Sequence, residues 1–117
     1  MRRYLAIFAT CIATLGLLIG VDAVTGTAAA PAKITVPTIV ISGFQFSGAL
    51  TVKPGVRVRV ENHDSVTHTL TSNAKKFNTG QIPPGKARPF TSPTVVGDYP
   101  FHCNIHTTMT GTLHVRA

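Results

Sequence analysis

Beyond residue 31 the chain offers no stretch with the three-to-four-residue spacing of apolar side chains that a helix needs. What recurs is a period of two, broken by turns. In Val56-Arg57-Val58-Arg59-Val60 the alternation is strict, with valines on one face and arginines on the other, as a half-buried strand requires. Phe44-Gln45-Phe46, Leu50-Thr51-Val52 and Thr112-Leu113-His114-Val115 repeat the pattern. Val36 to Ile41 is more continuously apolar and reads as an inner strand that begins after Pro37. Turn signals fall between the runs at Ser42-Gly43, Lys53-Pro54-Gly55, Pro83-Pro84-Gly85 and Gly97-Asp98. Eight prolines and ten glycines would break a long helix wherever it started.

These observations predict an all-β domain over residues 31–117, with seven or eight short strands in two packed antiparallel sheets and Greek-key connections. Ser72 to Gln81 is polar and turn-rich, and is expected to be a loop or a strand that crosses between the sheets.

The first thirty residues follow a different pattern. Arg2 and Arg3 supply positive charge, Leu5 to Val21 is an apolar run of 17 residues without charge, and Thr27-Ala28-Ala29-Ala30-Pro31-Ala32 supplies small residues beyond it. This three-part pattern predicts a secretory signal peptide over 1–30, cleaved after Ala30, with Ala32 as the next candidate position. The alternative is an uncleaved membrane anchor, because the apolar run lies at the lower edge of what spans a bilayer. Cys11 falls mid-run, too early for a lipid attachment point after a full apolar region. An exported protein, periplasmic, extracellular or on the cell surface, is therefore expected, and membrane association only if the segment is retained.

Export makes the cysteine count informative. The chain has two cysteines, and Cys11 leaves with the signal, so the domain enters an oxidising compartment with Cys103 as a lone thiol. Such a thiol can pair between chains, be buried and inert, or be a metal thiolate. Residues 31–117 hold nine Lys and Arg against three Asp and Glu, a net charge of +6 with His neutral. A basic surface favours solubility or acidic partner proteins. It does not indicate nucleic acid, since no basic cluster is interleaved with aromatics.

The segment Tyr99-Pro100-Phe101-His102-Cys103-Asn104-Ile105-His106-Thr107-Thr108-Met109-Thr110-Gly111 decides between these readings of the thiol. Strand parity places Tyr99, Phe101 and Cys103 on one face, so the thiol points inward with the aromatics. His106 and Met109 follow at regular three-residue steps, and one tight loop can turn three donors toward a point. A thiolate and a thioether are soft, an imidazole is borderline, and no carboxylate lies in the loop, which disfavours calcium and magnesium. Zinc seldom takes Met, whereas two His, one Cys and a weak axial Met make the type 1 copper set. The second imidazole is sought in Asn62-His63-Asp64-Ser65-Val66-Thr67-His68-Thr69-Leu70, which offers two.

Here the chain resembles the cupredoxin (type 1 blue copper) family. An Asn at a strand end, an acidic residue, then His followed by a small polar and an aliphatic residue is similar to the first copper-ligand segment of that family. Tyr-x-Phe-x-Cys-x-x-His-x-x-Met-x-Gly before a final strand is similar to the second. The short loop is like that of amicyanins and pseudoazurins, with two residues between each pair of ligands. The resemblance runs from Phe44 to Val115. It implies His68, Cys103, His106 and Met109 as the metal ligands, Thr69 as the tie between the two ligand segments, one Cu(I)/Cu(II) ion as cofactor, and His106 as the surface doorway for electrons. Ile105 and Thr107 stand where prolines commonly flank that His. His63, His102 and His114 fall outside the match. The expected function is one-electron transport by a monomer between redox partner proteins, without enzymatic activity; the alternative is a copper-binding module for storage, scavenging or delivery.

Overall fold

The structure is a computed structural model and describes Gly16, Gly26 and residues 33–117. The expected signal segment over 1–30, its expected cleavage positions and Cys11 lie outside the described residues. Two compact units are distinguished, Met1–Ala32 and Lys33–Ala117, and the description below concerns the second.

Eight strands form two four-stranded sheets. They are β1 (Thr38–Ser42), β2 (Gln45–Gly48), β3 (Thr51–Val52), β4 (Arg57–Asn62), β5 (Thr71–Ser72), β6 (Ala87–Thr91), β7 (Gly97–His102) and β8 (Thr110–Val115). The sheet orders are β2-β1-β4-β6 and β3-β8-β7-β5. The predicted β-sandwich is therefore present, with β1 an inner strand as its unbroken apolar run implied. The sheets are not wholly antiparallel: β1 pairs parallel with β4, and β3 parallel with β8. A period of two records which face a residue occupies and is silent about the direction of the partner strand.

Alternation decides what is buried. In β4, Val58, Val60 and Asn62 face inward while Arg57 and Arg59 face solvent. Ile39 and Ile41 from β1 and Phe90 from β6 join them on one side of the core. Val52, Phe101, Leu113 and Val115 supply the other side. Burial of such side chains contributes about 1.5–3 kcal/mol each before conformational entropy is set against it. Phe101 packs edge-on against Phe46 with centroids 4.9 Å apart, and Phe77 stacks on Phe90 at 4.6 Å. The Phe101 ring lies over Gly111, its partner across β7 and β8.

One local expectation is corrected, and one left open between two alternatives is decided in favour of a loop. Phe44 does not belong to a strand: Ser42 pairs with Gln45, so the two-residue turn is Gly43-Phe44, one position later than the Ser42-Gly43 signal suggested. Residues 72–81 are largely loop, tied back by bridges of Thr71 with Asn78 and of His68 with Ile82. Phe77 anchors that loop by burying its ring.

Candidate metal centre

Two chain segments meet at one end of the sandwich. The first follows β4 and is shaped by Asn62, fully buried at the strand end. Its side-chain amide donates to the carbonyls of Val66 at 2.7 Å and Ile82 at 2.9 Å, and its Oδ1 accepts the Asp64 N–H at 3.0 Å. Every polar atom of the side chain is thus used, which offsets the cost of burying an amide. The result is a folded excursion that returns at His68, whose backbone exchanges two hydrogen bonds with Ile82 at 3.2 and 2.7 Å.

The second segment follows β7. Parity carries Cys103 inward behind Phe101, and both are fully buried. The loop closes through the Cys103 N–H, which donates to the Met109 carbonyl at 3.1 Å, and the Met109 N–H, which donates to the His106 carbonyl at 2.9 Å. Met109 is buried in this loop at 2% exposure.

Thr69 joins the segments. Its N–H donates to Cys103 Sγ at 3.3 Å, and its hydroxyl accepts the Asn104 N–H at 2.8 Å. The consequence is a convergence of donor atoms from residues 35 positions apart. His68 Nδ1 lies 3.9 Å and His106 Nδ1 4.0 Å from Cys103 Sγ, and the two Nδ1 atoms are 3.1 Å from each other. All three donor atoms fall within 4.8 Å of one another.

The electrostatics prepare these atoms for a cation. Burial pushes the Cys103 thiol up, but the N–H of Thr69, the backbone of His106, the His68 ring and the backbone of Ile105 outweigh it together and bring it from 9.0 down to about 6. The sulfur is thus mostly thiolate at neutral pH. His68 is oriented from behind: its Nε2–H donates to Asp64 Oδ2 at 2.8 Å, leaving the Nδ1 lone pair for the cluster. The Phe44 N–H, most of all, holds the Asp64 carboxyl below its ordinary range; burial opposes this, and the Gly43 N–H and His68 reinforce it.

The structure thus brings together three of the four expected donors and buries Met109 in the loop that carries Cys103 and His106. Asp64 was not singled out as a partner of His68, because its role depends on how the segment after β4 turns back. The available signal was the acidic residue between Asn62 and His68 in the segment that resembles the first copper-ligand stretch. The remaining histidines have other partners: His63 meets Glu61 at 3.0 Å, His102 lies between Asn73 and Asn104, and His114 meets Asp98 at 2.7 Å.

A buried thiolate facing two imidazoles, with a thioether residue in the same loop and no carboxylate among the converging atoms, suits copper and disfavours hard cations. A family-level profile for the cupredoxin-like domain matches residues 14–115. The chain belongs to the cupredoxin-like family. A comparison with curated proteins found no match. Among solved structures, a reduced Cu(I) form of an amicyanin variant at pH 4 is similar over 69% of this chain and 82% of that one, with 21% identity and a TM-score of 0.61. The Cu(I) form of another amicyanin variant gives 20% identity and 0.61, and an oxidised variant 19% and 0.60, over the same shares of each chain. At this identity the likeness concerns the fold.

Proposed function

We propose that this protein is an exported type 1 copper protein that carries single electrons between redox partners. The observation that carries the reading is the convergence of His68 Nδ1, Cys103 Sγ and His106 Nδ1 within 4.8 Å inside an apolar end of the sandwich. In this reading His68, Cys103 and His106 would hold the copper, with Met109 as the weak fourth donor. Copper bound there supplies a one-electron couple between Cu(I) and Cu(II).

The chain's own residues supply the rest. Asp64 and Ile82 hold His68, Thr69 holds the thiolate, and the Cys103–Met109 and His106–Met109 hydrogen bonds hold the loop. Leu70, Phe101 and Leu113, all fully buried, belong with Cys103 to the apolar core cluster. A site so fixed before any metal arrives changes little between oxidation states, and this favours electron transport over copper delivery, which needs ligands that let go. The half-buried His106 is the route to the surface. No general base and nucleophile pair is needed for such a role, and the reading is of a carrier and not an enzyme. The charged, apolar and small-residue blocks of residues 1–30 support export, and the excess of Lys and Arg supports acidic partners.

The test is the visible spectrum after Cu(II) is added to the domain. Intense blue or green absorption from the Cys103 thiolate is expected, and Cys103→Ser removes it. A colourless complex with one copper per chain refutes the type 1 assignment. For export, mass spectrometry of protein from the native host is expected to find an N-terminus near Pro31; an intact Met1 in the membrane fraction favours the anchor.

A further inference from the structure

The turn between β1 and β2 contains a residue that ordinarily avoids it. Gly43 and Phe44 have φ of 59° and 58°, the positive pair that a type I′ hairpin turn requires. Glycine adopts this without steric cost, whereas a bulky aromatic residue there is an outlier that its surroundings must hold in place. Those surroundings are identifiable. Asp64 accepts the Gly43 N–H at 2.6 Å through Oδ1 and the Phe44 N–H at 2.9 Å through Oδ2, the oxygen that also takes the His68 Nε2–H. One carboxylate therefore grips the strained turn and one of the ligand imidazoles.

The grip delivers the Phe44 ring to the metal centre. Its centroid lies 5.3 Å from that of His68 and 5.0 Å from that of His106, with interplanar angles of 90° and 89°. The residue is 49% exposed, so packing in the core does not account for it. The two imidazoles also differ in their support. His68 has Asp64 behind it, while among the described residues the ring nitrogens of His106 meet only Cys103 and His68. A metal-binding His is usually oriented by a hydrogen bond from its second nitrogen; His106 has the Phe44 ring beside it.

We propose that Phe44 is a positioning residue of the metal centre, a cap that holds the His106 ring in its ligating orientation and closes the solvent side of the site. The inference rests on the copper reading above and extends it to a turn that lies outside both ligand segments. The strain at Phe44 is retained because the ring is needed where the turn puts it.

Three variants test the cap. Phe44→Gly removes the ring and suits the backbone, so the metal-free variant unfolds at or above the wild-type temperature. Loaded with Cu(I), it loses metal to the chelator bathocuproine about tenfold faster or more, and its Cu(II) spectrum shifts on addition of azide while the wild type's does not. Phe44→Ala shows the same rapid release. Phe44→Tyr keeps the perpendicular contacts and releases copper close to the wild-type rate. Wild-type release by Phe44→Gly with no response to azide overturns the proposal, as does Phe44→Tyr releasing copper as fast as Phe44→Gly. If the wild type forms no coloured copper complex, the copper reading fails and the cap is judged on metal-free protein. Ring-current shifts of the His106 carbon-bound protons that vanish in Phe44→Gly then support it, and unchanged His106 signals overturn it.

Discussion

Two residues near Cys103 show how side-chain detail controls the site. Gly111 faces Phe101 across β7 and β8, and a Cβ there would lie 2.6 Å from Phe101 Cζ and 2.7 Å from Cε2. Phe101 is fully buried against Phe46 and Phe77 and has nowhere to retreat. Gly111→Ala is therefore expected to destabilise the domain by about 1–3 kcal/mol through overpacking, read as a lower urea midpoint. Because Phe101 directs Cys103, the thiolate absorption should shift as well. Met109 tests the axial position. Met109→Leu keeps the burial and removes the sulfur, so copper and colour should remain while the reduction potential rises, since a lost donor costs Cu(II) more than Cu(I). Voltammetry decides it: an unchanged potential makes Met109 a packing residue only.

At the level of strands, β7 and β8 are joined on their outer side by Asp98, which receives hydrogen bonds from His114 and Arg116. His114 first, then Arg116, hold the Asp98 carboxyl below its ordinary value of 3.8. A group lowered in the folded state stabilises it above the unfolded value and loses that contribution as pH falls through the folded one. Asp98→Asn should thus lower the melting temperature at neutral pH and leave it unchanged well below pH 3.8. Equal loss at both pH values would show that the pair acts through shape and not charge. The strands themselves were legible in the sequence, because alternation at Val56–Val60 and Thr112–Val115 reflects burial on one face. The convergence of Cys103 and His106 was legible from their spacing together with their donor types. The parallel pairings were not, since no side chain records them. The Gly43-Phe44 turn was hidden because its second residue breaks the steric preference by which turns are recognised, and Asp64 because its three partners are assembled only by the fold.

Over the whole molecule, the three described carboxylates are all engaged. Glu61 binds Arg59 and His63, Asp64 binds His68 and the turn, and Asp98 binds His114 and Arg116. Seven of the nine lysines and arginines in residues 33–117 consequently have no carboxylate partner among the described residues. An uncompensated field of this kind accelerates encounter with an acidic partner, by roughly tenfold or more at low salt. Stopped-flow electron exchange with an acidic redox protein should slow as ionic strength rises from about 0.01 to 0.15 M; a flat profile would show that the charge does not steer docking. The pairing of β3 with β8 has a consequence of another kind. Thr51 and Val52 find their partners only at His114 and Val115, and β8 lies inside its sheet, between β3 and β7. Contacts so distant along the chain make folding slow. Until β8 docks, the second sheet amounts to the β5 and β7 pair alone, so the strand that follows the ligand loop is also the one that completes the sheet beneath it.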